Sequence, residues 1–198
     1  MTSQQLQSLA VSLYDIGAVK MGRFTLHSGK ISPIYIDLRL LVSHPRALQQ
    51  VAEAYASVLD DLDFDVLAAY PYAALPIGTA IALHSGWPLV YPRKTTKAYG
   101  TGRQVEGAWE DGQTAVVIED LITSGDSILQ AIKALNGVGL QVKDAVVLID
   151  RQQGGRQALS EKGYNLHAVL TIDRLLTILE EQGRIDAGQR AEVLEGLG

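Results

Sequence analysis

Short apolar runs alternate with helical patterns along most of this 198-residue chain, and this alternation constrains the fold more than any other feature. The runs are apolar at consecutive positions and rich in β-branched residues, which is typical of strands covered on both faces. Five of them are DVLAAY, PLVYPR, TAVVIED, DAVVLID and NLHAVLTI. Strands that alternate with helices form βαβ units, so the sequence predicts an α/β fold with a central parallel sheet flanked by helices.

The remaining segments predict elements around this sheet. Residues 4–18 and 44–59 carry apolar side chains at helical spacing. Between them, an alternating pattern predicts two short strands joined by a turn at Ser28–Gly29. Residues 172–198 predict one or two closing helices, and the length of the chain predicts a single domain.

Composition excludes several classes of protein. The chain has no cysteine, which excludes disulfides, zinc thiolates and a cysteine nucleophile. No apolar run approaches the roughly 20 residues that a membrane-spanning helix needs. The N-terminal segment lacks a basic region followed by a continuous apolar stretch, so we expect no signal peptide and a cytoplasmic protein. The net charge of −5 argues against a dedicated nucleic-acid-binding protein.

Positive charge is concentrated in one part of this acidic chain. No Asp or Glu occurs from Val66 to Val105. A long polar connection, Lys94 to Gly107, lies within and just beyond this stretch, and such connections are usually functional lids or mobile loops. Its charge favours an anion site, although a solvated basic loop explains the charge equally well. The basic residues are Arg93, Lys94, Lys97 and Arg103.

The sharpest local motif is an apolar strand that ends in Glu119-Asp120 and leads through a small-hydroxyl loop, Thr123 to Ser127, into a helix. Backbone N–H groups in such a loop point at one concavity, and the helix N-terminus adds partial positive charge, so the motif predicts a cradle for a phosphate monoester. The two acids could hold ribose hydroxyls and reach a metal. Alternatively, Ser124 or Asp126 simply caps the helix, and the two acids are solvated. Neither a P-loop nor a dinucleotide fingerprint is present.

The segment VVIEDLITSGDS resembles the signature of type I phosphoribosyltransferases that binds 5-phosphoribosyl 1-diphosphate (PRPP). The resemblance runs from about residue 10 to residue 172 and points to the orotate phosphoribosyltransferases, in the form found in the first domain of UMP synthases. It implies the type I fold, with a small hood at residues 1–40 that the C-terminus completes and a core at about 44–172. The other similar segments are FTLHSGKISPIYIDLR, PYAALPIGTA, YPRKTTKAYGTGRQVEG and VVLIDRQQGG.

This resemblance implies the transfer of 5-phosphoribose from PRPP to N1 of orotate. The products would be orotidine 5′-monophosphate and pyrophosphate, a step of pyrimidine (UMP) biosynthesis. Negative charge grows on the leaving pyrophosphate, and cations placed there lower the barrier. The resemblance also implies Mg²⁺ held mainly through PRPP, and a homodimer in which the basic loop closes over the partner's site. We expect no nucleic-acid or membrane partner.

The resemblance also assigns site residues. Lys97, Glu119 and Asp120 match catalytic positions. The matches to PRPP-binding positions are Arg93, Lys94, Lys97, Tyr99, Tyr72, Ala73, Glu119, Asp120, Leu121, Ile122, Thr123, Ser124, Gly125, Asp126 and Ser127. The positions that match or adjoin the orotate site are Tyr35, Ile36, Thr123, Arg151 and His27.

Two of these assignments have plain structural alternatives. Arg151 suits bidentate contact with the orotate carboxylate, but it could instead be a strand-end arginine paired with Asp150. Tyr35 could be an ordinary core residue. Structure decides between these alternatives.

Four residues depart from the family pattern. His27 replaces a usual lysine, and Ala69 replaces a glycine that opens the pyrophosphate loop. Ala98 replaces an acid, and Asp126 stands in the phosphate cradle where a small neutral residue is usual. These departures raise two alternatives: a non-catalytic regulator that binds PRPP or a nucleotide, and a phosphoribosyltransferase for another base. The orotate-like loop and Arg151 argue against the second.

Overall fold

A computed structural model describes residues 1–25, 29, 31–94 and 104–197. Its strands are β1 Val19–Thr25, β2 Ile31–Ile36, β3 Val66–Ala69, β4 Leu89–Pro92, β5 Val105–Glu106, β6 Thr114–Ile122, β7 Gln141–Asp150 and β8 Asn165–Thr171. Its helices are α1 Ser3–Asp15, α2 Pro45–Leu59, α3 Ala74–Ser85, α4 Asp126–Asn136, α5 Gly155–Ser160, α6 Ile172–Glu181 and α7 Ala187–Gly196, with a 3₁₀ helix at Leu38–Ser43.

Strands β3 to β8 form one sheet in the order β5–β4–β3–β6–β7–β8. Neighbouring strands are parallel except β4 and β5, which are antiparallel. All five strands predicted from the apolar runs are in this sheet, so the predicted α/β class is confirmed. Because β3, β6 and β7 are parallel, their carboxyl ends meet at one edge, where ligands bind in open α/β sheets.

Helices cover both faces of the sheet, which explains why the strand runs are apolar at consecutive positions. Along β6, Val116 and Ile118 pack in the core cluster that includes Tyr55 of α2. Val117 faces the other way and packs in the cluster that includes Ile128 of α4. The middle of β6 is therefore fully buried, and its last residues, from Glu119 to Ile122, lie at the carboxyl edge of the sheet.

The helix ends follow local capping chemistry. Thr2 forms a capping box with Gln5 at the start of α1. Pro45 occupies the first turn of α2, where its missing N–H costs nothing. Gly86 ends α3 with φ 76°, a left-handed conformation that glycine adopts without strain. Among the described residues, no helix is both long and apolar enough to cross a membrane.

The sequence prediction of an irregular connection from Lys94 to Gly107 is wrong at its C-terminal end. There Val105–Glu106 pairs with Tyr91–Pro92 and adds the antiparallel edge strand β5. A two-residue strand has no detectable periodicity, and helix α5 and the 3₁₀ helix are also too short to show one.

Strands β1 and β2 form a separate antiparallel pair, as predicted, with Val19 opposite Ile36. Helix α7 packs against β2, and a Cβ at Gly196 would lie 3.1 Å from the Pro33 ring. The N-terminal and C-terminal segments therefore contact each other. The division into a hood at 1–40 and a core at about 44–172 stays a prediction.

Candidate active site

A cleft of about 540 Å³ lies at the carboxyl ends of β3 and β6. Most of the residues predicted to bind PRPP that the structure describes line it, and Ile122 is instead buried in the core. The lining residues are Ile36, Asp37, Leu38, Arg39, Tyr70, Pro71, Tyr72, Ala73, Lys94, Glu119, Asp120, Leu121, Thr123, Ser124, Gly125, Asp126 and Ser127.

Two adjacent carboxylates form the polar floor of this cleft. Glu119 is only 5% exposed, so it is not a solvated strand-end residue. The Tyr55 hydroxyl, fully buried under β6, donates to the Glu119 carbonyl at 2.6 Å, and the Asp120 N–H donates to Glu119 Oε1 at 3.2 Å. Burial, and then the Asp120 carboxylate, raise the pKa of Glu119 to about 8. Burial also raises the pKa of Asp120. Both carboxyl groups therefore lose their protons less readily here than in water.

The loop after β6 has the backbone that a phosphate cradle needs. Gly125 has φ 89°, which only glycine adopts readily, and it begins helix α4 without a side-chain cap. The alternative of a simple helix cap by Ser124 or Asp126 is therefore wrong. Instead, Ser124 Oγ donates to Asp126 Oδ2 at 2.7 Å, within the cleft lining. The N-terminus of α4 faces the cleft and favours an anion there.

Gly155 of α5 packs directly under this loop. A Cβ at Gly155 would lie 2.6 Å from the Thr123 carbonyl oxygen and 2.5 Å from Ile122 Cγ1. These distances are shorter than real Cβ contacts. The close approach brings the loop after β7, which contains Arg151, against the loop after β6.

We expect Gly155→Ala to destabilise the protein by about 1–3 kcal/mol, because the added methyl group must displace the Thr123 backbone. The same displacement should raise the Kd for PRPP. Thermal unfolding and isothermal titration calorimetry measure both effects. Gly137→Ala is the control, since its Cβ would meet nothing closer than 3.3 Å. Equal stability and equal PRPP affinity in the two variants would contradict the role of Gly155.

Lys94 brings a positive charge to the opposite side of the cleft. Its Nζ lies 4.6 Å from the ring centroid of Tyr72 and 5.8 Å from that of Tyr70, within the range of cation–π attraction. The Tyr70 hydroxyl donates to Gln130 Oε1 of α4 at 3.1 Å. Tyr72 and the next residue, Ala73, line the cleft beside this lysine.

The structure does not place Arg93 in the cleft lining. Its Nε donates to Glu106 Oε1 at 2.5 Å, and its backbone N–H donates to the Gln104 carbonyl, so Arg93 anchors the two ends of the basic loop. The other predicted loop residues, Lys97 and Tyr99, lie outside the described part of the chain. So do Ala98 and the N-terminal His27.

Arg151 is not paired with Asp150. The Asp150 carboxylate instead accepts from the Gln152 N–H at 2.8 Å and from Arg156 Nε at 3.1 Å. Arg151 Nε is buried with no hydrogen-bond partner among the described residues, and burial lowers the pKa of Arg151. Gln152 adopts φ 56°, which turns the chain sharply after Arg151. The Nε–H of Arg151 is therefore available to a hydrogen-bond acceptor on a ligand.

Tyr35 and Ile36 stand at the end of β2. Tyr35 is half-buried, so it is not an ordinary core residue; its ring packs against Phe24 at 5.4 Å between centroids, and its hydroxyl accepts from Arg39 at 3.2 Å. Ile36 lines the cleft, whereas Tyr35 and Arg151 are not part of its lining. Of the predicted orotate residues, Ile36 and Thr123 thus line the cleft, Tyr35 and Arg151 do not, and His27 lies outside the described residues.

Sequence reasoning missed four residues that shape the cleft. Asp37 and Arg39 form a two-point ion pair in its lining, with distances of 2.7 and 2.9 Å, and the hydrogen bond from Arg39 lowers the pKa of Asp37. Both stand in the IYIDLR segment, where an acidic and a basic residue two positions apart indicate a possible ion pair. Tyr55 and Tyr70 act through contacts 60 or more residues away in sequence, which no local pattern records.

Comparisons with known proteins identify the family. The phosphoribosyl transferase domain family matches residues 40–164. The orotate phosphoribosyltransferase of Caenorhabditis elegans is 37% identical over 188 residues, which cover 94% of this chain and 83% of the relative. The UMP synthase structure of Leishmania donovani is 41% identical with a TM-score of 0.88, over 97% of this chain and 42% of that one. The orotate phosphoribosyltransferase structure of Mycobacterium tuberculosis H37Rv in complex with PRPP is 29% identical with a TM-score of 0.73. The match covers 86% of this chain and 98% of that one.

The chain belongs to the orotate phosphoribosyltransferase family. Its fold is the α/β fold of the type I phosphoribosyltransferases, with a mostly parallel sheet flanked by helices. The chain spans only 39% and 38% of the first curated relatives that it matches, which are longer enzymes.

One departure from the family pattern has a structural explanation. Ala69, where the family usually has glycine, is a regular strand residue opposite Ile118. Gln152 is the only non-glycine residue with positive φ in the described part of the chain, so the backbone of Ala69 does not need the conformational freedom of glycine. Its methyl group is accommodated by Gly78 of α3, where an added Cβ would lie 2.7 Å from Ala69 Cβ.

Proposed function

We propose that this chain is an orotate phosphoribosyltransferase that transfers 5-phosphoribose from PRPP to N1 of orotate in pyrimidine biosynthesis. The observation that carries the proposal is that the buried Glu119 and the adjacent Asp120 line one cleft with a loop in which Gly125 is left-handed and begins α4 without a side-chain cap. Sugar hydroxyls and a phosphate monoester are the groups that this pairing suits. The names of the full-length relatives support orotate as the acceptor.

Each part of PRPP has a proposed partner. The loop from Thr123 to Ser127 holds the 5′-phosphate, and Glu119 and Asp120 hold the ribose hydroxyls. Lys94, Lys97 and Tyr99, with Tyr72 and Ala73, hold the pyrophosphate. Arg93, which is paired with Glu106, positions the loop that carries Lys97 and Tyr99. Orotate then lies among Tyr35, Ile36, Thr123, Arg151 and His27.

These residues act on a reaction whose charge moves toward the pyrophosphate. The bond between C1 of the ribose and the pyrophosphate oxygen breaks, and its electron pair leaves with pyrophosphate. N1 of orotate forms the new bond to C1 and releases its proton to the pyrophosphate or to water. Lys94 stands in the cleft where it stabilises the departing charge, and the resemblance assigns the transition-state contact to Lys97. Arg151 fixes the orotate ring through its carboxylate, which orients N1.

Magnesium suits the donor set of this cleft. No three His, Cys, Asp or Glu side chains among the described residues converge on a possible metal site. Mg²⁺, however, commonly binds through one or two carboxylates together with substrate phosphates and water. Glu119 and Asp120 supply those two carboxylates, and PRPP supplies the phosphates. When bound, the ion would neutralise charge on the pyrophosphate.

We also propose that the chain forms a homodimer through the outer face of α3. In this dimer, each active site contains residues from both chains. This helix is apolar on nearly every side, which is typical of a helix covered on all faces. Leu83 on it is 83% exposed, and Val42 in the neighbouring 3₁₀ helix is 62% exposed. A cytoplasmic location remains a prediction.

Leu83→Lys is expected to convert the dimer to monomers and to lower activity, because it buries a charge in the proposed interface. Sedimentation velocity at micromolar concentration measures the change. Leu194→Lys, at another exposed leucine on α7, should leave the dimer intact. A wild-type chain that sediments as a monomer would contradict the proposed interface and the shared sites together.

The decisive test of the function is the loss of orotate absorbance when PRPP and Mg²⁺ are added. We expect turnover with orotate, and no comparable turnover with uracil or adenine. Binding of PRPP without turnover of any base would favour a regulator on the same fold. Turnover of another base at a similar rate would show a different phosphoribosyltransferase.

A further inference from the structure

An acidic side chain stands inside the loop that the proposed function assigns to the 5′-phosphate. Asp126 is the first residue of α4 and lines the cleft. Its Oδ2 accepts the hydroxyl proton of Ser124 at 2.7 Å. The carboxylate thus uses a hydroxyl donor of the loop and lies at the positive end of the helix, which stabilises an anion at this position.

A phosphate dianion in the same loop needs the same groups. A serine hydroxyl has one proton, so Ser124 donates either to Asp126 or to a phosphate oxygen, but not to both. The Asp126 carboxylate and a phosphate bound in the same loop would also repel each other. Among the described residues that line the cleft, the cations are Arg39 and Lys94. Arg39 is held by Asp37, and Lys94 lies against the Tyr72 ring.

We propose that Asp126 is an affinity-setting residue, which competes with the 5′-phosphate for Ser124 and weakens every ligand that carries this phosphate. The inference rests on the proposed function, because it takes PRPP and orotidine 5′-monophosphate as the ligands. Substrate and product present the same 5′-phosphate, so both are weakened by a similar factor. A loss of affinity that is equal for the substrate, the transition state and the product raises KM without lowering the rate of the chemical step. It also speeds product release.

The test compares neutral replacements at this position. Asp126→Ser and Asp126→Asn should lower the Kd for PRPP and for orotidine 5′-monophosphate by the same factor, on the order of tenfold, because the like-charge contact disappears and the charged acceptor that competes for Ser124 becomes a weaker, neutral one. The Kd for pyrophosphate alone should not change, since it lacks the 5′-phosphate. Asp126→Glu, which keeps the charge, should stay near wild type.

Two controls separate this effect from a general change of charge or fold. Asp61→Asn removes the same charge from an exposed position after α2 and should leave every Kd unchanged. Thermal unfolding of Asp126→Asn should show a small loss of stability, about 2 °C, because the helix loses a favourable charge at its N-terminus. Tighter binding in a less stable protein cannot result from better folding.

The outcomes are distinct. A Kd for PRPP within twofold of wild type in both neutral variants would overturn the inference. So would equal tightening of pyrophosphate, or an equal effect of Asp61→Asn. Tightening of both phosphate esters alone would support it. A wild-type chain that binds neither ester would instead contradict the proposed function itself, which the orotate absorbance assay tests separately.

Discussion

Arg151→Ala is expected to raise the KM for orotate by about 10², while the KM for PRPP changes little. Orotate differs from uracil by one carboxylate, and a site that pairs this group discriminates strongly against a base that lacks it. Loss of a charge-assisted, two-point hydrogen-bonded contact weakens binding by about this factor. Steady-state kinetics with each substrate varied in turn measures the separation.

The structure gives a specific reason for this expectation. Arg151 Nε is buried and has no acceptor among the described residues, while Asp150, the adjacent acid, is bonded to Arg156 and to the Gln152 N–H. Leaving a buried N–H without an acceptor costs free energy. An anionic ligand such as the orotate carboxylate removes that cost.

Two variants make the test selective. Arg151→Lys keeps the charge but loses the planar fork, so it should recover only part of the orotate affinity. Arg156→Ala removes the arginine that pairs with Asp150 and the Leu166 carbonyl, so it should lower the melting temperature without changing the preference for orotate over uracil. An unchanged orotate KM in Arg151→Ala would remove the basis for orotate as the base.

The sequence was sufficient where a short pattern determines the structure. Consecutive apolar residues from Ala115 to Ile118 predicted a strand buried on both faces, and β6 is such a strand. Glu119-Asp120 and the loop after them were found because the acidic pair follows the apolar run directly, although β6 itself continues to Ile122. The packing of the sheet then places these residues at its ligand-binding edge.

The parts that the sequence could not reveal depend on contacts between distant segments. The bond from Tyr55 to the Glu119 carbonyl joins residues 64 positions apart, and the packing of Gly155 under Thr123 joins two different loops. Arg93 was predicted to bind pyrophosphate, but its ion pair with Glu106 depends on the edge strand β5, which was not predicted. Local periodicity carries no information on such pairs.

Glu119→Gln is expected to make the protein more stable at pH 8 and less active. The ordinary pKa of this carboxyl is 4.5, and burial, followed by the Asp120 carboxylate, raises the pKa of Glu119 to about 8 in the folded protein. Between these values the folded state keeps a proton that the unfolded chain releases. Wild-type stability is therefore full below pH 4.5, falls as the pH rises, and levels off above about pH 8.

The neutral amide has no such proton, so the variant should lose the part of the pH dependence that Glu119 causes. We expect it to exceed wild type by about 2 kcal/mol or more at pH 8.5, which corresponds to a melting temperature about 5 °C higher, and to differ less at pH 5. Thermal unfolding across this range measures it. Glu181→Gln, at an exposed position on α6, should follow the wild-type curve.

The activity of the same variant should move in the opposite direction. At pH 8.5, above the raised pKa of Glu119, its carboxylate is ionised and can accept a charge-assisted hydrogen bond from a ribose hydroxyl, so its loss should lower kcat/KM for PRPP by about 10-fold to 100-fold at that pH. A buried acid that costs stability and supports turnover is typical of a functional site rather than a structural one. A Glu119→Gln variant no more stable than wild type at pH 8.5 would contradict the raised pKa of Glu119. Full activity in the same variant would contradict the assignment of this carboxylate to the ribose.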